Sequence, residues 1–136
     1  MVKQIVTSPI MLRMPSEPAT KADADVAQDL LDTFAAHAHD CVGMAANMIG
    51  VRKRIIVTEC DNATLLMYNP EVLSCKDQYQ AKEACLSLSG ERETTRYRAV
   101  EVSYLDRNFH PCQRTFTGFT AQIIQHQIDH CNGVVI

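Results

Sequence analysis

Two histidines near the end of the chain constrain its fold and its chemistry more than any other feature. His126 and His130 stand four residues apart, with Ile124 and Ile128 at core positions beside them. Residues with this spacing lie on one face of an α-helix, about one turn from each other. The spacing therefore predicts a helix that presents two imidazoles together, and two such imidazoles can hold one metal ion.

The residue after the first histidine is Gln127, where the metallohydrolase pattern H-E-x-x-H has a glutamate that acts as general base. The chain therefore keeps the ligand pair and lacks the carboxylate. Such a pair can also be an ordinary solvent-facing feature of an amphipathic helix. A catalytic metal site needs a third protein ligand, from Cys, His, Asp or Glu elsewhere, and one open position for water.

Length and composition predict one domain over residues 1–136, since a chain of 136 residues can bury a sizeable core. The formal net charge of −3 gives no basic field for reading nucleic acid. The first residues contain no signal-peptide core and no apolar run is long enough to span a membrane, so we expect a cytoplasmic protein without a membrane partner. The cysteines form no C-x-x-C pair, and we expect them to be reduced thiols.

Periodicity and turn signals predict an α+β fold with two helices and separate strands. The first helix is expected over residues 22–39 with Thr20 as its N-cap, and the second from near Phe119 to Asn132-Gly133. Residues 1–18 should form an extended arm, with a short strand at 4–7. Further strands are expected at 54–58, 65–68, 72–75, 98–105 and 113–117, with 80–88 extended and an edge strand at 134–136. The strand at 65–68 should stop at Asn69-Pro70, because proline cannot donate to a sheet.

Three short segments occur in a characteristic order. Residues 42–46 read V-G-M-A-A, residues 83–87 read E-A-C-L-S, and residues 126–130 read H-Q-I-D-H. In order and spacing they resemble the motifs G-x-G-x-A-A-x-Q, E-G-C-L-S and H-E-x-x-H of the peptide deformylase family. Cys41 and Ala84 stand where those motifs have glycine. The resemblance covers nearly the whole chain and implies mixed or antiparallel sheets around a central, metal-binding C-terminal helix.

The resemblance implies removal of the formyl group from the N-terminal formyl-methionine of nascent polypeptides, in proximity to the ribosome. It implies one divalent ion, Fe²⁺ in the cell with Zn²⁺, Ni²⁺ or Co²⁺ as alternatives, held by Cys85, His126 and His130. Such an ion lowers the pKa of a bound water and polarises the formyl carbonyl. The backbone N–H of Leu86 is implied as a donor to the developing oxyanion.

The resemblance also implies where a peptide binds. The backbone of Val42 and Gly43 would receive it as an added strand, and Gln122, Ile123 and Leu86 would line a methionine pocket. Arg92 would contact substrate, or would instead pair with Glu91 or Glu93. Glu83 would either orient a ligand histidine or be a surface carboxylate, whereas Asp129 is expected to be structural.

Two positions depart from the family pattern in side chains that the reaction uses. Gln127 replaces the glutamate that moves a proton, and loss of a general base costs roughly 10²–10⁴ in rate. Met48 replaces a glutamine that donates to the oxyanion, and loss of one such donor costs roughly 10²–10³. Asn47, one residue away, is expected to point its amide elsewhere.

These departures leave several interpretations open. The chain could be a natural divergent relative, Gln127 could replace a native glutamate by design, or hydroxide on the metal could attack without a carboxylate. A different interpretation is a metal-binding pseudoenzyme or binding module that recognises methionyl or formyl-methionyl N-termini without turnover. The last interpretation is a cysteine hydrolase with Cys85 as nucleophile and His126 or His130 as base, which would stay active after chelation and would be inactivated by alkylation.

Overall fold

The computed structural model describes residues 1–135 and arranges them as one five-stranded antiparallel sheet with three α-helices. The sheet order follows the chain, β1-β2-β3-β4-β5. The strands are β1 Gly43–Ala45, β2 Ile55–Cys60, β3 Ala63–Cys85, β4 Leu88–Leu105 and β5 Pro111–Thr117. The helices are α1 Pro9–Leu12, α2 Ala24–Ala36 and α3 Gly118–Cys131. The predicted α+β class is confirmed.

The strand that was expected to stop at Asn69-Pro70 continues for another 15 residues as part of β3. The pairing with β4 shifts register between Tyr68 and Glu71 and again between Val72 and Ser74. Asn69 has a φ of 52°, and its side-chain amide exchanges two hydrogen bonds with the backbone of Ala19 at 2.7 and 3.0 Å. These irregularities accommodate the proline within a continuous strand. The segments predicted at 72–75 and 80–85 therefore belong to one strand, β3. Residues 86–87 form the turn after it, and Leu88 begins β4.

The first predicted helix is shorter than expected. A 3-10 turn, Lys21–Asp23, precedes α2, and Thr20 caps that turn by accepting a hydrogen bond from the backbone N–H of Ala22 at 3.2 Å. The helix ends at Ala36 rather than at residue 39. Its buried face is formed by Ala27, Leu30, Thr33 and Phe34.

The N-terminal arm contains a short helix, α1, where an extended segment was expected. Pro9 occupies the first turn of α1, Ser8 caps it, and Leu12 is fully buried. Within residues 1–135, the segment 4–7 belongs to no strand, although the backbone N–H of Val6 donates to Met48 O at 2.8 Å. Proline at the start of a helix loses no hydrogen bond, which explains why this short helix tolerates it.

Helix α3 lies in the centre of the fold, packed against β1, β2 and β4. All of its residues from 123 to 131 are buried except Asp129, which is half-buried. After it, Gly133 has a φ of +73°, and a Cβ there would lie 2.4 Å from the carbonyl oxygen of Arg13. Only glycine therefore permits this close approach of the N-terminal arm to the helix end.

Two further expectations concern the chain end and membranes. Val134 and Val135 lie in no strand, and Ile136 lies outside the described residues. None of the helices found in residues 1–135 is long and apolar enough to cross a membrane.

Candidate metal centre

Three potential ligands converge between the sheet and α3. Cys85 ends β3, whereas His126 and His130 extend from successive turns of α3. Their ligand atoms all lie within 4.8 Å of one another, and Cys85 Sγ is 3.2 Å from His130 Nε2. The three residues are 8%, 7% and 1% exposed, in that order. One thiolate and two imidazoles match the donors that bind a catalytic divalent ion and leave a fourth position open.

The ionisable groups of this cluster are strongly coupled to one another. Burial opposes ionisation of Cys85, but hydrogen bonds to His126 and His130 outweigh it and lower the pKa of the thiol to about 5. Burial disfavours the charged form of His126, yet its hydrogen bonds to Cys85 and Glu83 raise its pKa to about 9. The thiol and the imidazole therefore stabilise each other's charged forms, and an ion bound there would displace the imidazolium proton.

Glu83 fixes the orientation of one imidazole. His126 Nδ1 lies 2.9 Å from Glu83 Oε1, which leaves Nε2 as the nitrogen available to an ion. Glu83 is only 8% exposed. The alternative that Glu83 is a surface carboxylate is therefore wrong.

A buried arginine supports Glu83 from behind. Arg96 donates to both carboxylate oxygens of Glu83, at 2.9 Å through Nε and 2.7 Å through Nη2. Its Nη1 donates to Asp129 Oδ2 at 2.7 Å. Burial raises the pKa of Glu83, but its bonds to His126, Arg96 and Gln122 prevail and lower it to about 2. The contact between Arg96 and Asp129 agrees with the structural role expected for Asp129.

Sequence reasoning missed Arg96 as a member of the site. The residue pairs with Tyr79 across the ribbon of β3 and β4, and it is 4% exposed within a strand segment that is mostly exposed. A single basic residue among polar neighbours gave no local signal of burial. Tyr79 was also missed, although its hydroxyl donates to Gln122 Oε1 at 3.3 Å.

Two residues of the cluster, Cys85 and His126, lie at the wall of a cleft of about 620 Å³, and the fully buried His130 lies behind them. Most of the side chains predicted to contact a peptide line this cleft together with Cys85 and His126: Val42, Gly43, Met48, Leu86, Gln122, Ile123 and Gln127. Arg92 is not among the lining residues. It is exposed on β4, and its Nη1 donates to Ser89 O at 3.4 Å.

Gln127 stands close to β1. A Cβ on Gly43 would lie 2.6 Å from Ile123 Cγ2 and 3.0 Å from Gln127 Nε2, so no side chain fits at this glycine. Gln127 is 5% exposed, and its Oε1 has no hydrogen-bond partner among residues 1–135. A buried amide oxygen without a partner is costly, and here it belongs to a residue that lines the cleft.

Met48 and Asn47 are both buried. Met48 is 1% exposed, and its Sδ lies 3.4 Å from the backbone N–H of Ala45. The amide of Asn47 donates to the carbonyl oxygen of His130 at 3.0 Å, so it points away from the cleft as expected. The structure therefore offers no side-chain amide at the position where the resemblance expects an oxyanion donor.

Two other thiols near the centre are poorly suited to ligation. Burial, the largest cause, raises the pKa of the Cys41 thiol to about 11. Burial also raises the pKa of the Cys131 thiol to about 11. Both are therefore neutral thiols near pH 7. Cys131 is adjacent to His130 in sequence but is absent from the convergent cluster of residues 1–135.

Comparison with known proteins gives one family. The family model described as polypeptide deformylase matches residues 2–136. A peptide deformylase of Clostridium beijerinckii is 51% identical over the full length of both chains. Crystal structures of peptide deformylases from Legionella pneumophila and Thermotoga maritima superpose with TM-scores of 0.88 and 0.89 at 30% and 28% identity. Each covers 99% of this chain, which corresponds to 83% and 95% of the respective solved chain.

Proposed function

The chain belongs to the polypeptide deformylase family, and from that membership we propose that it removes the formyl group from formyl-methionine at the N-terminus of nascent polypeptides. The observation that supports this proposal best is the convergence of Cys85, His126 and His130 beside a cleft. The reaction would be a hydrolysis that releases formate. It would take place in the cytoplasm and near the ribosome, where new N-termini emerge.

The buried donor set fits one divalent ion, which Cys85, His126 and His130 would hold. When bound, such an ion supplies Lewis-acid polarisation of the formyl carbonyl and a water of lowered pKa. Thiolate and imidazole ligands suit Fe²⁺, Zn²⁺, Ni²⁺ and Co²⁺, and we propose Fe²⁺ as the ion in the cell.

Residues on both sides of the cleft would hold the peptide. Strand β1 lies at one edge of the sheet, and the backbone of Val42 and Gly43 would pair with the peptide as an added strand, using main-chain hydrogen bonds. Ile123, Gln122 and Leu86 would surround the first side chain. The backbone N–H of Leu86 would donate to the formyl oxygen, which gains negative charge as the tetrahedral intermediate forms.

Gln127 and Met48 would limit the rate. The Gln127 amide can orient the attacking water through hydrogen bonds, but it cannot take up the proton of that water or deliver one to the leaving amine. Met48 offers no N–H to the formyl oxygen. We therefore propose slow deformylation by this chain.

The unpartnered Oε1 of Gln127 also supports a second candidate function. A cleft with intact ligands and no general base could bind methionyl or formyl-methionyl N-termini without hydrolysing them. A peptide N–H or a water placed in the cleft would satisfy that oxygen. The chain would then be a metal-holding binding module.

The deciding experiment measures metal content and formate release together. The chain and its Gln127→Glu variant are loaded anaerobically with Fe²⁺ or Zn²⁺, and formyl-Met-Ala-Ser is the substrate. We expect one ion per chain in both, with formate release faster by roughly 10²–10⁴ in Gln127→Glu because the base is restored. Gln78→Glu, at an exposed position of β3, is the matched control and should leave the rate unchanged.

Each contrary outcome has a distinct meaning. Bound metal with no formate release from either form would support the binding module. A chain that takes up no metal would contradict the ligand assignment. Activity that survives chelation but is lost on thiol alkylation would point to Cys85 as a nucleophile.

A further inference from the structure

Four side chains of types that bind metals occupy five consecutive positions at the mouth of the cleft. The turn after α2, residues 37–41, reads H-A-H-D-C. Three of these residues line the cleft that also contains Cys85 and His126: His39, Asp40 and Cys41. The cleft therefore carries an imidazole, a carboxylate and a thiol in addition to the ligands already described.

The backbone of this turn keeps its side chains together. His37 caps the C-terminal end of α2, and its carbonyl oxygen accepts hydrogen bonds from the backbone N–H groups of Asp40 and Cys41 at 2.8 and 3.0 Å. The Cys41 thiol donates to the same oxygen at 3.4 Å. The chain therefore folds back on itself, and Asp40 returns to the neighbourhood of His37.

One carboxylate oxygen lies near two imidazoles. Asp40 Oδ2 is 3.3 Å from His39 Nε2 and 4.0 Å from His37 Nδ1. Two donor atoms that share a tetrahedral ion, each at about 2.1 Å from it, lie roughly 3.4 Å apart. Both distances are near that separation, and 4.0 Å is too long for a hydrogen bond. The side chain of His39 is 80% exposed, so its ring can turn toward an ion without repacking the core.

We propose that His37, His39 and Asp40 form a second site for a divalent transition-metal ion, which captures the ion before it reaches the buried centre. We call these three residues the outer site. Imidazole and carboxylate donors suit ions such as Zn²⁺ and Co²⁺. The outer site is weaker than the buried one, because it is exposed and has no thiolate.

The position of Cys41 shows that the two sites are close. Burial is the largest cause that raises the pKa of its thiol to about 11, and the charges of Asp40 and Cys85 both add to it. Cys41 therefore lies within electrostatic reach of both sites, and as a neutral thiol near pH 7 it is not counted as a ligand of either. An ion held at the mouth of the cleft is concentrated beside the buried centre, and such concentration raises the rate of association.

The capture role rests on the proposed function, because it assumes that Cys85, His126 and His130 hold the resident ion. Binding at the outer site does not depend on that assumption. The two parts of the inference therefore need separate measurements, one of stoichiometry and one of the rate of loading.

The first measurement adds Zn²⁺ to the chain that already holds one Zn²⁺, followed by calorimetry. We expect a second, weaker binding event, which should be lost when His39→Gln and Asp40→Asn are combined. His110→Gln, at an exposed histidine away from the cleft, is the matched control and should keep the event. A second event that is missing from the unaltered chain, or that persists in the double variant, would overturn the outer site.

The second measurement follows Co²⁺ into the metal-free chain by stopped flow, since Co²⁺ bound to a thiolate absorbs in the near ultraviolet. At limiting Co²⁺, the double variant should load more slowly by roughly 10-fold and reach the same final absorbance. Equal rates in the two chains would overturn the capture role and leave the proposed function intact. Failure of every form to develop the thiolate absorbance would overturn the capture role together with the Cys85 centre on which the proposed function depends.

Discussion

The two sides of the cleft differ in the chemical groups that they carry. We call Glu83, Cys85, His126 and His130, with Arg96 behind them, the ligand side, and Gly43, Met48 and Gln127 the reactant side. On the ligand side, bonds of 2.7–2.9 Å connect Arg96 to Glu83 and Glu83 to His126, whereas His130 Nδ1 has no partner among residues 1–135. On the reactant side, Gln127 Oε1 has no partner within the described part of the chain, and Met48 Sδ meets only a backbone N–H.

Under the proposed function, holding an ion and moving a proton would therefore depend on separate residues. The ligand side is rich in ionised groups that stabilise one another, whereas the reactant side offers an amide and a thioether. Substitutions on the ligand side should therefore change metal binding, and substitutions on the reactant side should change turnover at constant metal content.

The largest effect is expected from removing the thiolate. Cys85→Ala deletes one of three ligands and the negative charge that favours a cation, so metal content should fall from one ion per chain toward none, with loss of activity. Elemental analysis after gel filtration measures this. Cys75→Ala, at an exposed thiol of β3, is the control and should retain the ion. If Cys85→Ala retained its full metal content, the assignment of metal binding to the ligand side would be wrong.

A gain of turnover is expected on the reactant side. Met48→Gln, introduced into Gln127→Glu, should raise kcat by up to roughly 10²–10³, because the new N–H can stabilise the oxyanion. The glutamine Oε1 could still accept from the backbone N–H of Ala45, as Met48 Sδ does now. Met48→Leu fills similar volume without a donor and should bring no gain. Equal rates for the two substitutions would show that the missing amide is not limiting.

A smaller effect should follow from weakening the support of His126. Glu83→Gln keeps all three ligands but removes the acceptor charge, so metal affinity should fall by roughly 10- to 100-fold while saturation still gives one ion per chain. Competition with a chelator of known affinity measures this change. Glu91→Gln, at an exposed position of β4, should leave the affinity unaltered.

The smallest effect concerns the stability of the metal-free chain in acid. The pKa of Glu83 is lowered from 4.5 to about 2 on folding. Its contribution to the free energy of unfolding is therefore complete above the unfolded pKa and is lost as pH falls through 4.5 toward 2. Between pH 6 and pH 3, urea unfolding should show the native chain losing on the order of 1–3 kcal/mol more than Glu83→Gln. Parallel losses in both chains would show that this carboxylate is not stabilised by its partners.

Parts of the structure that depend on local pattern were predictable from sequence. The i,i+4 histidines with isoleucines beside them gave α3, because helical periodicity is a property of neighbouring residues. Cys85 could be added as a ligand only through the resemblance of residues 83–87 to a family motif. Periodicity alone left the third ligand open.

Features that depend on distant contacts could not be predicted. Asn69 keeps β3 continuous through Pro70 by bonding to Ala19, which lies 50 residues earlier in the chain. Likewise, the position of Arg96 between Glu83 and Asp129 depends on pairing across β3 and β4 and on the docking of α3. In both cases a tertiary contact overrides what the local sequence favours.

The burial of α3 on nearly all sides sets how its backbone amides can exchange with solvent. Residues 123–131 of this helix are buried apart from half-buried Asp129, so its amides have no route to water through local fraying alone. Their hydrogen exchange should then require the openings of highest free energy in the molecule, close to global unfolding. Cys85 and His126 line the cleft, so an ion held there would have its own route to solvent, and its release would not require those openings.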